Sequence, residues 1–348
     1  MKNSIPDRFH RLTTLFSSPD PVVVTPYRGF ANAERLFLKG RVLEKQDIFD
    51  GENESKLGNF LDSLRRIETD EVGGAKLSLN LAGTEYHAET DKEGFFTIEA
   101  ALPTLPAAAG QNWLDATIQL QHVPNGYELP TTATPAELLM PSANASFGII
   151  TDIDDTVLQT HVTSRLKLKM LYATLFKDSH QRLPMEGIPD LLKALEKGPG
   201  GQRENPVFYV SDSPWNIYDL LAEFLRIHEI PKGPILLRDY GAHLLRRKKE
   251  ENEIHKLVAF RQIMGMYPDL PFVMLGDTAS KDADYYLRMA EEFEGRVLAI
   301  YIRQTRDTEN ARRIAKLIGE HSHVEAVLVH ESSQIWAHAK QHGLVANR

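Results

Sequence analysis

From Phe147 onward the chain repeats one rhythm: a short, almost uninterrupted apolar run, then an amphipathic stretch. The runs are Phe147 to Thr151, Val207 to Val210, Ile235 to Leu237, Phe272 to Leu275 and Val297 to Ile302. Trp215 to Ile227 and His255 to Met266 have helical spacing between them, and Ser164 to Phe176 and Pro189 to Lys197 also read as helices. Strands that are apolar on both faces belong to parallel sheets covered by helices on either side; half-solvated strands alternate instead. The spacing therefore predicts an α/β domain, and sites in such sheets gather at the carboxyl ends of strands.

The first half has a different texture. Val22 to Thr25, Leu36 to Leu38 with Arg41 to Leu43, Ala75 to Leu81, Phe95 to Ile98 and Ala116 to Leu120 read as strands, several with clean alternation. Asp91-Lys92-Glu93-Gly94 offers a turn, and Lys56 to Ile67 has helical spacing. This predicts a mainly β, sandwich-like N-terminal domain over residues 1–145 and an α/β domain over 146–348. Residues from Gly126 to Ser146 are rich in Pro, Thr and Ala and read as a linker, with Leu139 and Met140 as anchors.

Composition narrows the classes. The 348-residue chain is 42% hydrophobic and carries a formal net charge of −8. That argues against a general nucleic-acid binder, which is usually basic. With no cysteine, disulfides and thiolate zinc sites are excluded, which suits a reducing compartment. The thirteen histidines are read as offering neither H-x-H nor H-E-x-x-H spacing, so zinc is not expected. The first residues lack the apolar stretch of a secretory signal, and no apolar run approaches the ~18 residues of a membrane span. The expectation is a cytoplasmic protein whose membrane contact, if any, is peripheral at the inner face.

Three apolar runs end in polar residues that have no business in a core. The first leads into Asp152-Ile153-Asp154-Asp155-Thr156, the second into Ser211-Asp212-Ser213, and the fourth into Gly276-Asp277-Thr278, with Asp282 shortly after. Acids clustered at a buried strand end suffer repulsion and desolvation, for which a divalent cation is the usual remedy. Ser213-Pro214 reads as a helix N-cap followed by Pro, which would set Ser211 beside a helix N-terminus suited to an anion. Lys256 falls near the start of the helix that follows.

These residues resemble the four motifs of the haloacid dehalogenase (HAD) superfamily: Asp152 to Thr156, Ser211 after Phe208-Tyr209-Val210, Lys256 at 21 residues before Asp277, and Gly276-Asp277-Thr278 with Asp282. A closer resemblance, across roughly Phe147 to Arg303, is to the catalytic domain of the actin-patch-associated phosphatidate phosphatase family and its bacterial relatives. It is carried by Phe208 to Asn216, Gly233 to Gly241, His255-Lys256 and Gly276-Asp277; Pro26-Tyr27-Arg28-Gly29 is similar to the β-rich region that precedes the domain in bacterial members. The resemblance implies a Rossmann-like fold with a small cap and a Mg2+-dependent phosphomonoester hydrolase. Asp152 would be the nucleophile, forming an aspartyl-phosphate, and Asp154 the acid and base. Asp152, Asp154 and Asp277 would hold Mg2+, Thr156, Ser211 and Lys256 would face the phosphate, and Asp282 would orient Lys256 or a metal-bound water. The chain departs from the superfamily pattern at Asp155, where many members have Gly, and at Thr278-Ala279-Ser280.

The implied substrate is phosphatidate or a related lipid phosphate. A phosphatase of soluble metabolites or phosphoproteins stays open as an alternative, as does a relic fold serving as a binding or scaffold protein. The sequence does not indicate the oligomeric state. Arg246-Arg247-Lys248-Lys249, followed by Glu250, Glu251 and Glu253, reads first as a charge-paired solvated helix face and second as a headgroup-facing patch. Arg165, Lys167 and Lys169, soon after the first motif, are candidates for helping with substrate, and Arg238 or Asp239 is a candidate for the rim, whereas Trp215, Tyr218 and Leu221 read as core.

Overall fold

The computed structural model describes residues 20–44, 71–103, 112–153, 157, 185–201, 204–238, 250–305 and 308–346; of 250–254 only the backbone is described. The helix expected at Lys56 to Ile67, the Ser164 to Phe176 stretch with its small cap, Arg165, Lys167 and Lys169, and the 246–249 basic run all lie outside these residues. So do Asp154, Asp155, Thr156 and Asp239.

The second half forms a parallel sheet from β10 (Gly148–Thr151), β11 (Val207–Pro214), β12 (Ile235–Arg238), β13 (Phe272–Asp277), β14 (Val297–Arg303) and β15 (Ala326–Val329). Their order is β12-β11-β10-β13-β14-β15, and every pairing is parallel. Alternation along each strand splits the apolar residues between two cores. Ile149, Tyr209 and Val273 face one core, while Ile150, Phe208 and Met274 face the other. Helices α1 (Ile188–Lys197), α2 (Tyr218–Ile227) and α6 (Ser332–Gln341) cover the first face. Helices α3 (Glu250–Met266), α4 (Asp282–Glu292) and α5 (Thr308–Glu320) cover the second. α1 shows why such a segment is helical: Ile188, Leu191, Leu192 and Leu195 form one buried stripe, and Gly187 and Gly198 bracket it.

The chain lays β11 and β12 on one side of β10, then crosses to build β13 to β15 on the other. The reversal falls between β10 and β13, so the residues after these two strands flank the crevice where parallel sheets bind ligands.

The first half contains β1 (Asp20–Pro26), β2 (Gly29–Ala31), β3 (Arg35–Glu44), β4 (Lys76–Leu81), β5 (Thr84–Glu89), β6 (Phe95–Ala101), β7 (Trp113–His122), β8 (Tyr127–Glu128) and β9 (Thr134–Leu139). Among the described residues these make one nine-stranded sheet rather than two separate ones, ordered β5-β4-β7-β9-β2-β3-β1-β8, with β6 paired to β3. It encloses a core of its own, with Leu36, Leu38, Leu77, Leu79, Ile118 and Leu138 buried together.

The reading of Gly126 to Ser146 as a linker is corrected by β8 and β9. β9 lies inside the sheet, antiparallel to β7 and parallel to β2, with Ala136 and Leu138 buried. Pro135 and the flanking threonines mask a strand only six residues long. β2, β5 and β15 are equally short or weakly patterned and were not expected.

The two halves share their cores. Tyr27 stacks on Trp215 at 4.4 Å between ring centroids, and the Arg28 backbone N–H donates to the Tyr218 hydroxyl at 2.7 Å. Phe30 packs edge-on against Phe208, and Asn32 Nδ2 donates to the Met266 carbonyl at 2.6 Å. Trp215 and Tyr218 are core residues, as expected, but part of that core comes from the β domain.

Candidate active site

Asp152 follows β10, the central strand; its N–H donates to the Leu275 carbonyl at 3.0 Å, which holds it beside β13. Asp277 ends β13, and Asp282 opens α4 one short turn later. Lys256 comes from the middle of α3 rather than from its start, because that helix already begins at Glu250. Asp152, Asp277, Asp282 and Lys256 are 2%, 1%, 0% and 2% exposed, so their charges interact with little solvent screening.

The Lys256 ammonium bridges two acids, 2.8 Å from Asp152 Oδ1 and 2.7 Å from Asp282 Oδ1. Burial alone would push this ammonium down. The charges of Asp152, Asp282 and Asp212 outweigh it and raise Lys256 well above its ordinary range. Asp277 Oδ1 accepts the N–H groups of Ala279 and Ser280, at 2.5 and 3.1 Å. Burial, then the charge of Asp282, still push Asp277 up to about 7. Carboxylate oxygens of Asp152, Asp277 and Asp282 lie within 4.8 Å of one another. Among the described residues, one ammonium bridges two of these three acids. An all-oxygen donor set of this kind suits a hard divalent cation such as Mg2+. Asp152 and Asp277 would hold it, while Asp282 is committed to Lys256 through one oxygen.

The other oxygen, Asp282 Oδ2, has no hydrogen-bond partner among the described residues and lies against Gly276. A Cβ on Gly276 would meet Asp282 Cβ and Oδ2 at 2.7 Å and Tyr286 Cε2 at 2.9 Å. Gly276 is thus needed for close approach. Gly276→Ala is expected to destabilise by about 1–3 kcal/mol, measured by urea unfolding, and to displace Asp282 from Lys256.

Ser211 is buried at the site's edge, but not in the way its sequence context suggested. β11 continues through Ser213 to Pro214, which pairs with Arg238 across a register shift. A 3-10 turn, Trp215–Ile217, then precedes α2, so Ser213 is no helix cap. The irregularity folds the strand end locally: the Ser213 N–H donates to Ser211 Oγ at 2.9 Å. Bulges of this kind re-aim side chains beside sites.

Three residues outside the sequence-based assignment join the site. His255 is pushed down to about 4, by burial first and then by the charges of Arg238, Lys256 and Lys39, with a hydrogen bond to the Ser211 backbone opposing. It is therefore neutral at pH 7 beside a cationic rim, to which the β domain contributes Lys39. A His with a depressed folded-state pKa adds stability above its unfolded value, near 6.5, and loses it as pH falls through the folded one. Urea unfolding at pH 7 and pH 4 is expected to show a drop that His255→Asn reduces by up to about 3 kcal/mol; an unchanged drop would contradict this assignment. Arg303, paired in register with Asp277, carries a buried Nη1 without a hydrogen-bond partner among the described residues; burial pushes its guanidinium down against the charge of Asp277. Thr278 ties the loop to Thr305 through their hydroxyls at 2.9 Å and accepts at its carbonyl from Asn310. In the sequence, His255 and Thr278 lie within the motifs without a role assigned to them, and Arg303 is marked only as a cation ending the fifth apolar run.

Residues 147–304 match the family model described as "Phosphatidate phosphatase APP1, catalytic domain". The chain is 28% identical over 219 residues to the phosphatidate phosphatase APP1 of Saccharomyces cerevisiae, covering 63% of this chain and 34% of that protein. It is 26% identical over 220 residues to an uncharacterized protein of Schizosaccharomyces pombe, again covering 63% of this chain and 34% of the other. The matches thus span about a third of those relatives' length. Among solved structures, one of the Pnkp1/Rnl/Hen1 complex aligns at a TM-score of 0.32 and 17% identity, over 54% of this chain and 55% of that one, too remote to carry a fold assignment. Residues 147–304 are thus similar to the phosphatidate phosphatase APP1 catalytic-domain family.

Proposed function

We propose that the chain is a Mg2+-dependent phosphomonoester hydrolase of the HAD type, acting on phosphatidate or a related lipid phosphate through an aspartyl-phosphate on Asp152. The observation that carries this reading is the buried Lys256 ammonium bridging Asp152 and Asp282 beside Asp277, at the sheet's switch point.

With Asp152 Oδ1 held by Lys256, the carboxylate is fixed in orientation and its other oxygen is the one assigned to attack phosphorus. As that bond forms, the ester P–O bond breaks and the leaving alkoxide takes a proton from Asp154, the residue the first motif assigns to this role. In the second half-reaction water gives a proton to Asp154 and attacks phosphorus, releasing inorganic phosphate and free Asp152. Lys256, Ser211 and Thr156 are assigned to the non-bridging oxygens. When bound, Mg2+ would supply charge neutralisation between the anionic nucleophile and the anionic phosphate. No described helix is long and apolar enough to cross a membrane, and a lipid substrate would be met by peripheral contact from the cytoplasmic side.

The test is phosphate release from phosphatidate in mixed micelles, alongside soluble sugar, nucleotide and peptide phosphates, with and without Mg2+. Mg2+-dependent release from phosphatidate is expected to dominate. Release from soluble esters alone would overturn the lipid assignment, and release from none would favour a binding or scaffold role.

A further inference from the structure

Among the described residues, two groups of side chains converge closely enough to share a metal ion. One is the acid cluster at the active site. The other, Glu325, His338 and His342, lies elsewhere. Glu325 directly precedes β15, at the amino end of the parallel sheet, whereas Asp152 and Asp277 lie at the carboxyl ends. His338 and His342 occupy consecutive turns at the end of α6. We propose that Glu325, His338 and His342 form a second metal site, selective for a borderline transition-metal dication such as Zn2+ over Mg2+.

Three observations support this site. First, the three ligand atoms lie within 4.8 Å of one another. The His338 and His342 rings stack at 4.1 Å with an interplanar angle of 13°, as residues i and i+4 on one helix face. Tetrahedral Zn2+ needs ligand atoms about 3.3 Å apart, which rotation of the exposed Glu325 and His342 side chains can supply.

Second, His338 is already oriented as a ligand. Its Nδ1 is 3.0 Å from the Tyr301 hydroxyl and its Nε2 is 2.9 Å from Glu325 Oε1. Ligating histidines usually have the far ring nitrogen held by a fixed hydrogen-bond partner. Burial, then the charge of Glu325, raise the Tyr301 hydroxyl and keep it protonated, so it can donate or accept at Nδ1. With the metal at Nε2 in place of the hydrogen bond to Glu325, the neutral imidazole would carry its single proton on Nδ1, toward the Tyr301 hydroxyl.

Third, the local charge favours a cation. The site sits at the carboxyl end of α6, where the helix dipole is negative. Lys340, the nearest basic residue in sequence, lies 5.9 Å from the Trp336 ring centroid, on another face of the helix.

Two imidazoles and a carboxylate select Zn2+, Co2+ or Ni2+ over Mg2+, and the chain has no cysteine to offer a competing thiolate site. This departs from the expectation of no zinc, which rested on reading neither H-x-H nor H-E-x-x-H spacing and overlooked His321-Ser322-His323; His338 and His342 are an H-x-x-x-H pair whose third ligand is distant in sequence. The chain also holds an H-x-H pair, His321 and His323. The His321 ring, however, is committed to Glu291 at 3.2 Å and to the Leu317 carbonyl at 2.8 Å. A metal at Glu325 would pin α6 to the sheet's edge strand.

The test uses the full, metal-free chain in excess Mg2+, which occupies all-oxygen sites. Co2+ is titrated by calorimetry and by its visible absorption. About one equivalent of Co2+ with a nitrogen-ligand spectrum, displaced by Zn2+, is expected. His342→Ala should remove this binding, Glu325→Gln should weaken it, and Tyr301→Phe should weaken it about tenfold. Zn2+ should raise the unfolding temperature of the unmodified chain but not of His342→Ala. His342 is exposed at the helix end, so its loss leaves the fold intact. No Co2+ binding, or equal binding by His342→Ala, would overturn the proposal whatever the phosphatase assay shows.

Discussion

Asp152→Asn is expected to lower phosphate release by at least about four orders of magnitude, because an amide cannot serve as the nucleophile. The substitution keeps the shape of the side chain, and its amide oxygen can still accept from the Lys256 ammonium, which now touches Asp152 Oδ1 at 2.8 Å. Loss of turnover should therefore come without loss of fold, and the unfolding temperature provides the control. A second readout concerns the covalent step itself. Brief incubation with a radiolabelled phosphate ester followed by acid quench should leave label on the unmodified chain and none on Asp152→Asn. Turnover near the original rate would remove Asp152 from the nucleophile role. Label persisting in the variant would assign the covalent step to another residue.

The parallel sheet was legible because its strands are apolar on both faces. All five runs are strands, and the observed ends differ mainly by extension into the polar residues that follow them. The same polar strand ends pointed to Asp152, Ser211 and Asp277, and the resemblance to the third superfamily motif pointed to Lys256. Other features were not legible, for particular physical reasons. β9 is six residues long and opens Thr134-Pro135, so propensity reads it as linker although the sheet needs it between β7 and β2. Ser213 fails as a cap because pairing of Pro214 with Arg238 keeps β11 extended, a tertiary effect that the local Ser-Pro signal cannot reveal. His255 and Lys39 reach the site only through the packing of α3 and the β domain. The contacts of Tyr27 and Arg28 with Trp215 and Tyr218 also change the meaning of an N-terminal deletion. Removing residues up to 145 would expose the face of Trp215 that Tyr27 covers, so such a deletion would disturb the core of the α/β domain as well as remove the β domain.

Lys256→Met should be the most destabilising single change at the site, by about 3–5 kcal/mol. The methionine fills a similar volume but leaves Asp152 and Asp282 without their shared ammonium, in a pocket where none of the three acids is more than 2% exposed. Their charges then repel one another and Asp277 in surroundings that screen little. The penalty should depend on pH, with a definite sign. Asp277 is already pushed up to about 7, and Lys256 is one of the groups that hold it down. Without that ammonium, the buried carboxyls bind protons more tightly in the folded state than in the unfolded chain. An acid whose folded-state pKa is raised contributes stability at low pH and loses it as pH rises through that value. The deficit of Lys256→Met relative to the unmodified chain should therefore be smaller at pH 5 than at pH 8, as measured by urea unfolding in the absence of divalent cations. Adding Asp282→Asn to Lys256→Met should recover part of the deficit at pH 8, since it removes one of the uncompensated charges while keeping the side chain's shape. A deficit below about 1 kcal/mol, the scale of an exposed ion pair, or one flat between these pH values, would mean that the acids find compensation other than Lys256. The bridge would then be an incidental contact rather than the group that allows three carboxylates to be buried together.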